Sequence, residues 1–599
     1  MTALLSLISL LISGVLGLCG SIRIPKLGTF ISLALFVACI FSPAETYSLK
    51  WFNIGDCQFC VSFTSNRIES MLCAIICSIL LSLHFANNLF RHDPGIHKKL
   101  SSLNIFVLFM SLAVLSDDIL LFFIGIEVLG IISAILVGIE ADTANESSHV
   151  FLFNQFASLL FLVAVCMIWA NVGSFEFSDI KKFCGTANVT KLMIPATLLL
   201  ISCLCKGAQL PFSYWLLDAV KANTFASILM HAATIVGVGI IFIAKCEFIF
   251  AKFYYLKYAM ITVGIVTACW MAFCGLSHNN VKKIMGCLTS SSVGLMFAAC
   301  GIGNTAVALL YFICHAFFKA MLFLSLGYVM TAASGERNIL KMGGLSSIIP
   351  KINDILWLSF LATAGFPFFV GFFAKISFAG VVKFYGGGIL AIINALVNMV
   401  SVAAIFRMIL ISMYGKPRMD DATLARASEI NSYSIMSIWT LIIFAIFGSF
   451  ISWSLYEWGN LHFVLTASAC SRNFFDYFFE DIFELLQIVV AGMFVWILVK
   501  NSRTRFGITS AKVFYSLFRT NGGDFPGRRI IMKAINWIFG NISASHTKIF
   551  KYLQSCLVKS LRAIHTFLAN RHRKLVFSHV GWIIIGIFIN LLSAFFWGK

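Results

Sequence analysis

Six ionisable residues stand within apolar sequence where water is scarce: Glu127 in FFIGIEVLGIISAIL, Lys206 in CLCKGAQLPF, His231 in SILMHAATIVGVG, His315 and Lys319 in CHAFFKAMLFL, and Lys375 in FPFFVGFFAK. A charge at the centre of a bilayer costs roughly 2.5–3.5 kcal/mol on insertion scales, so such residues normally face a polar interior and mark a pathway. Burial disfavours the charged form of a lysine, and a nearby carboxylate favours it. Changing their separation therefore changes proton affinity, a task that lysine suits and arginine does not. His315 precedes Lys319 by one helical turn, which puts both on one face.

Two prolines sharpen the pattern. Pro211 follows Lys206 and Pro367 precedes Lys375; a proline removes a backbone hydrogen bond and frees carbonyls for side chains or water. A charged residue beside a helix break is a common transporter arrangement. Against this stand plainer readings: Glu127 in a structural ion pair, Lys206 and Lys375 reaching for an interface, His231 and His315 tying helices together. The depth of each residue in its run, and the irregularities beside the lysines, favour function. Lys282 and Lys283 lie at a span end, where topology alone accounts for positive charge. Lys221 reads as a loop lysine, and Asp117 and Asp118 as a tight, solvated outer turn.

The elements that must position these residues are membrane spans. Of 599 residues, 60% are hydrophobic and 12% charged, and uncharged runs of about twenty residues recur along the chain. The fold class is an all-α polytopic membrane protein with about sixteen transmembrane helices. The formal charge of +19 falls mostly in alternate loops, as the positive-inside rule requires, which argues against a nucleic-acid partner. The first run has no basic residue before it and Arg23 and Lys26 after it, the pattern of a signal anchor with its N-terminus outside. Eighteen cysteines lie mostly in apolar runs as small hydrophobes, and the CxxC of Cys57 and Cys60 is read as incidental.

Along the chain, span 7 covers about Leu192 to Val220 and span 8 about Ser227 to Ala244, and the segment from Phe41 to Asn66 is read as a polar outer loop. From Lys500 to Lys574 the sequence turns basic and amphipathic, with Ile531, Ile535, Ile538 and Ile542 at helical spacing; such a face lies along a membrane or neighbouring helices. A last span runs from about Val580 to Phe596. No GxGxxG before a helix, Walker lysine or metal-spaced Cys/His cluster is present, so no cofactor or metal is expected on this chain.

The segments KGAQLPFSYWLLDAV, SILMHAATIVGVGI, NNVKKIMGCLTSSSVGLMF, CHAFFKAMLFLSLG, ERNILKMGGL and FPFFVGFFAK resemble the antiporter-like subunit L family of proton-pumping NADH-quinone oxidoreductase, respiratory complex I. Its wider superfamily includes multisubunit cation/proton antiporters and membrane hydrogenases. The resemblance implies N-terminal helices over 1–100, two inverted five-helix repeats with broken helices over 101–250 and 251–414, and added spans over 415–500. An amphipathic lateral helix over 501–576 and a final anchor over 577–599 follow. It implies a span-5 glutamate paired with a span-7 lysine (Glu127, Lys206), a central relay (His231, Lys282, His315, Lys319), and a terminal lysine (Lys375).

The same resemblance implies a proton-translocating subunit with no redox site of its own. NADH, FMN, iron–sulfur clusters and quinone would sit on partner subunits, in the inner membrane of a bacterium or, alternatively, of a mitochondrion. This chain departs from the family at Asn223, Thr224 and Phe225, where Pro-Thr-Pro is usual, and at Ile376, where an acidic residue is usual. Gln155 and Ser158 stand where span 6 usually carries Arg and Asp, and Tyr311 where histidine is common. Two alternatives stay open: a sodium/proton antiporter subunit, and a structural paralogue that transports nothing and clamps its neighbours through the tail.

Overall fold

A chain crossing hydrocarbon must satisfy its peptide groups internally, and helices do so within one segment. The computed structural model describes residues 2–420 apart from 55–56, 87–94, 140–142, 368 and 386, together with 437–443, 446, 486–490 and 492–493. Ten of the helices described are long and apolar enough to cross a membrane. The amphipathic segment, the final anchor and most of the added spans expected after residue 415 lie outside the described residues.

The chain opens with α1 (Thr2–Leu18) and α2 (Arg23–Phe41). The expected outer loop then proves to be an antiparallel hairpin, β1 (Glu45–Ile54) and β2 (Cys57–Ser65), with Glu45 opposite Ser65 and Ile54 opposite Cys57. Its sequence alternates polar and apolar residues at the period of a strand, flanking Gly55 and Asp56. Next come α3 (Arg67–Phe85), α4 (Ile96–Leu115), α5 (Ile119–Gly138), α6 (Ala144–Val172) and the short α7 (Phe177–Cys184).

Where span 7 was expected, α8 (Met193–Lys206) stops and the chain resumes as α9 (Tyr214–Ala219). Span 8, expected as one helix, is also two: α10 (Thr224–Ala232) and α11 (Val238–Lys245). After the single turn α12 (Glu247–Phe250) come α13 (Tyr254–Ser277), α14 (Val281–Ile302) and α15 (Thr305–Ala332). A second long interruption separates α16 (Pro350–Ala364) from α17 (Val370–Tyr385), and α18 (Gly387–Met413) follows. Gly365 ends α16 at φ +85°, a left-handed turn that a side chain would strain, and Pro367 lies in the gap that follows.

Small residues set the closest helix pairs. A Cβ on Gly264 of α13 would lie 2.4 Å from the carbonyl oxygen of Gly294 on α14, and one on Gly294 would lie 2.5 Å from that of Gly264. The two backbones therefore touch, as small residues allow in membrane bundles. Near the N-terminus a buried polar knot ties four helices: Asn104 on α4 donates to Ser13 Oγ at 3.0 Å and to the Pro25 carbonyl at 2.9 Å, and accepts from His84 Nε2 at 2.8 Å.

Asp118 is not solvated, contrary to the sequence reading. It is fully buried and caps α5, accepting from the amides of Leu121 (2.6 Å) and of Ser62 on β2 (2.7 Å). Burial is the larger influence and pushes its carboxyl up to about 7 against those bonds; Asp117, half-buried, is raised for the same reason. The hairpin that the sequence hid is what covers this turn.

Candidate functional site

Lys206 is the last residue of α8, not a mid-helix residue. The negative end of the helix macrodipole favours a cation there, and the chain opens where the side chain leaves. The gap up to Ser213 holds Ala208 at φ +53° and a cis Leu210–Pro211 bond. Its backbone groups are answered by side chains: Trp215 donates to the Cys205 carbonyl (2.8 Å), Ser290 to that of Ala208 (2.7 Å), and Thr267 Oγ1 accepts from the Leu210 amide (3.0 Å). Such closure is what permits irregular backbone at membrane depth.

The Lys206 ammonium is 2% exposed. It donates to Ser158 Oγ on α6 at 3.1 Å and, more weakly, to the carbonyl of Ile126 on α5 at 3.4 Å. Glu127, the next residue along α5, takes no ion pair among the described residues. Its Oε1 accepts from the Gln155 amide at 2.7 Å, and its buried Oε2 has no partner. The expected glutamate–lysine pairing is thus a close approach mediated by α6, on which Gln155 and Ser158 share a face one turn apart. The two positions flagged as neutral departures are the ones that touch the carboxylate and the ammonium.

His231, the next-to-last residue of α10, is buried, with both ring nitrogens unpartnered among the described residues and its ring stacked on Phe323 of α15 at 5.3 Å between centroids. Because α10 stops at Ala232, that residue's carbonyl is free, and His315 Nδ1 lies 3.2 Å from it. A carbonyl only accepts, so His315 carries its proton on Nδ1 and presents Nε2 without a partner. The break in span 8 therefore brings the two histidines to one helix end. Lys282, in the first turn of α14 and 3% exposed, donates to the Ala222 carbonyl at 2.7 Å just before α10. No hydrogen bond or ion pair joins Lys206 to His231 among the described residues.

Lys319 and Lys375 line one small cavity of about 20 Å³. Lys375, on α17, donates to the carbonyl of Ala364, the last residue of α16, at 2.8 Å. It thus ties together the two sides of the break that Gly365 and Pro367 create. The cavity also takes in Asn398 and Ser401 of α18, which sequence reasoning passed over because uncharged polar residues in an apolar run give little signal. Arg407 on the same helix was passed over too; it is 5% exposed and donates to the His278 carbonyl at 2.8 Å, bracing the α13–α14 turn. Among the described residues no group of His, Cys, Asp and Glu is arranged to hold a metal ion.

All seven candidate residues fall inside the segment that matches a known family. Residues 116–400 fit the model described as NADH:quinone oxidoreductase/Mrp antiporter, TM. Over that segment, a little under half of its length, the chain is similar to the NADH:quinone oxidoreductase/Mrp antiporter family. Similar proteins include NADH-quinone oxidoreductase subunit L of Campylobacter jejuni, 27% identical over 468 residues that cover 76% of this chain and 78% of that one. NADH-ubiquinone oxidoreductase chain 5 of Phytophthora infestans is 30% identical over 378 residues, which cover 59% of this chain and 57% of its own length.

Among solved structures, a chain of the Mrp complex from Dietzia sp. superposes with a TM-score of 0.75 at 18% identity, covering 96% of this chain and 63% of that one. A chain of an archaeal membrane-bound sulfane sulfur reductase gives 0.66 at 17% identity, covering 74% and 75%. At these identities the likeness is one of fold. The homologues come from multisubunit complexes, and this chain is a multi-pass membrane protein.

Proposed function

We infer that this chain is a proton-translocating membrane subunit of an NADH-quinone oxidoreductase, moving protons through Glu127, Lys206, His231, Lys282, His315, Lys319 and Lys375 while partner subunits carry the redox chemistry. The observation that carries this reading is the Glu127–Lys206 arrangement: a carboxylate with one unpartnered oxygen and a buried ammonium, both held from one helix at a break in another. Movement of α6 relative to α5 or α8 changes their separation, and with it the proton affinity of both groups. The relatives named subunit L support the same assignment.

On this reading NADH, FMN, iron–sulfur clusters and quinone belong to partner subunits, and the membrane is the inner membrane of a bacterium or a mitochondrion. The architecture would comprise about sixteen spans, with two inverted five-helix repeats over 101–250 and 251–414. Residues 501–576 would form a lateral helix and 577–599 an anchor. The test is proton pumping by the assembled complex in vesicles after Lys206→Met and Glu127→Gln; if both variants pump normally, the mechanism is wrong.

A second reading, a sodium/proton antiporter subunit, draws support from the fold likeness to the Mrp chain. It predicts sodium-dependent proton flux in vesicles given no NADH, and co-purification without a flavin subunit. A purely structural role predicts instead that deleting Arg528 to Asn570 disrupts assembly while Lys206 and Lys375 variants stay silent.

A further inference from the structure

Four carboxyl groups and one lysine meet at the outer end of the bundle, under the β1–β2 hairpin. Glu69 lies in the first turn of α3, Asp117 and Asp118 form the α4–α5 turn, Glu176 precedes α7 and Lys245 ends α11. The Lys245 ammonium pairs with Glu69 Oε1 and donates to the Ser116 carbonyl at 2.9 Å. The lysine side chain is 13% exposed and the glutamate side chain 10%. Glu69 Oε2 is buried and takes no hydrogen bond among the described residues. Asp117, next to Ser116, is half-buried; burial raises its carboxyl, the Lys245 ammonium opposes that rise and the Glu176 carboxylate adds to it.

The plain reading is a structural tie between α3 and α11. Three features go beyond it. A buried ion pair is weak evidence of stabilisation, because desolvation of both charges offsets their attraction, and here one carboxylate oxygen also lacks a donor among the described residues. Lys245 repeats the placement of Lys206: each is the last residue of a half-helix from a broken span, beside a glutamate with one unpartnered oxygen. Position is the third feature. After the break that follows His231, α11 has eight residues, so Lys245 lies about 10 Å along the helix from that break. Glu69 rides on α3, which packs against α10 and α15, the helices of His231, His315 and Lys319. The couple therefore stands between the central histidines and the half-exposed Asp117.

We propose that Glu69 and Lys245 form a proton-release couple at the outer face, passing protons from the central histidines to Asp117 and the outer water. The inference rests on the reading that this chain moves protons. Within the pair the Lys245 N–H bond breaks and a Glu69 O–H bond forms, leaving a neutral amine and a neutral acid, so the net buried charge does not change. Rotation about the terminal carboxyl torsion, which is broad and two-fold, carries the proton to the unpartnered position. The acid then gives it to Asp117 or to water and returns to carboxylate, and Lys245 takes its next proton from the histidine side.

The test is proton pumping per NADH oxidised by the assembled complex in vesicles, with assembly and the unfolding midpoint measured for each variant. Glu69→Gln keeps an acceptor for Lys245 and loses the titrating group; Glu69→Asp keeps the titrating group on a shorter stem. Glu69→Gln should pump no better than Lys206→Met, and the double variant should lose no more than either alone. Glu69→Asp should pump where Glu69→Gln does not. A structural tie predicts the reverse: wild-type pumping by Glu69→Gln, with Lys245→Met lowering only the unfolding midpoint. Glu69→Gln at the wild-type level, or both Glu69 variants failing alike, overturns the proposal. Normal pumping by Lys206→Met with loss in Glu69→Gln overturns the path through Lys206 and leaves the outer couple standing.

Discussion

Gln155 donates its side-chain amide to Glu127 Oε1 at 2.7 Å, and one turn along α6 Ser158 accepts from Lys206 at 3.1 Å. One helix thus holds both members of a carboxylate–ammonium couple with neutral groups. A hydroxyl and an amide position charge without competing for it, so the couple's proton affinity depends on the two charged residues and their spacing.

Gln155→Leu removes the one hydrogen bond Glu127 makes among the described residues and leaves neither carboxylate oxygen a partner among them. A bond to a charged group contributes about 1.5–3 kcal/mol, so proton pumping by the assembled complex should fall by roughly tenfold or more. Gln155→Glu, which sets a second carboxylate beside the first, should fail as well. Normal pumping by both variants would show that Gln155 does not position Glu127.

Lys206→Arg should not restore what Lys206→Met loses. A guanidinium stays charged throughout the accessible pH range and cannot take part in a cycle of proton loss and gain. The comparison is initial pumping rate in vesicles with assembly verified for each variant; a pumping arginine variant would mean that Lys206 acts only as a fixed charge.

Asp118 makes stability depend on pH in a stated direction. Burial pushes its folded carboxyl up to about 7 from the ordinary 3.8, so the folded state holds the proton more tightly than the unfolded state. The stabilisation is complete below the unfolded value and is lost as pH rises through about 7. Thermal unfolding midpoints in detergent should fall between about pH 4 and 7 and level off above, and Asp118→Asn, which cannot ionise, should flatten that fall. An unchanged slope in the variant would place the pH dependence elsewhere.

Gly264→Ala should destabilise the bundle, because the added methyl meets the Gly294 carbonyl at 2.4 Å and a backbone atom cannot swing aside. Overpacking of this kind costs about 1–3 kcal/mol. Gly303→Ala is the contrasting case: a Cβ there meets nothing within 4 Å, and the cost is one of backbone conformation at φ +97°. A midpoint lowered in the first variant and accompanied by looser α13–α14 cross-linking would separate packing from turn strain.

The spans were legible because a crossing helix must be apolar over its whole length, and the ionisable residues stood out against that background. Pro211 and Pro367 announced their breaks. The break between α10 and α11 was not announced: HAATIVGVG carries no proline, and its glycines read equally well as packing residues. The hairpin over 45–65 was missed since the surrounding apolar runs set the scale of attention, although its period-two alternation was there to be counted. Asp118 looked solvated only while nothing was known to cover it. Asn398, Ser401 and Arg407 each sat singly in an apolar run, and single polar residues gain meaning only when other helices bring partners to them.

The bond from Lys375 to the Ala364 carbonyl joins charge to backbone. As an ammonium, the side chain binds that carbonyl with charge-assisted strength; as a neutral amine it would hold it about half as well. The two half-helices α16 and α17 are therefore laced by a tie whose tension follows the side chain's protonation. Titration at one nitrogen becomes slack or grip in the main chain, which a rigid rod could pass along its axis and a continuous helix would have no means to register.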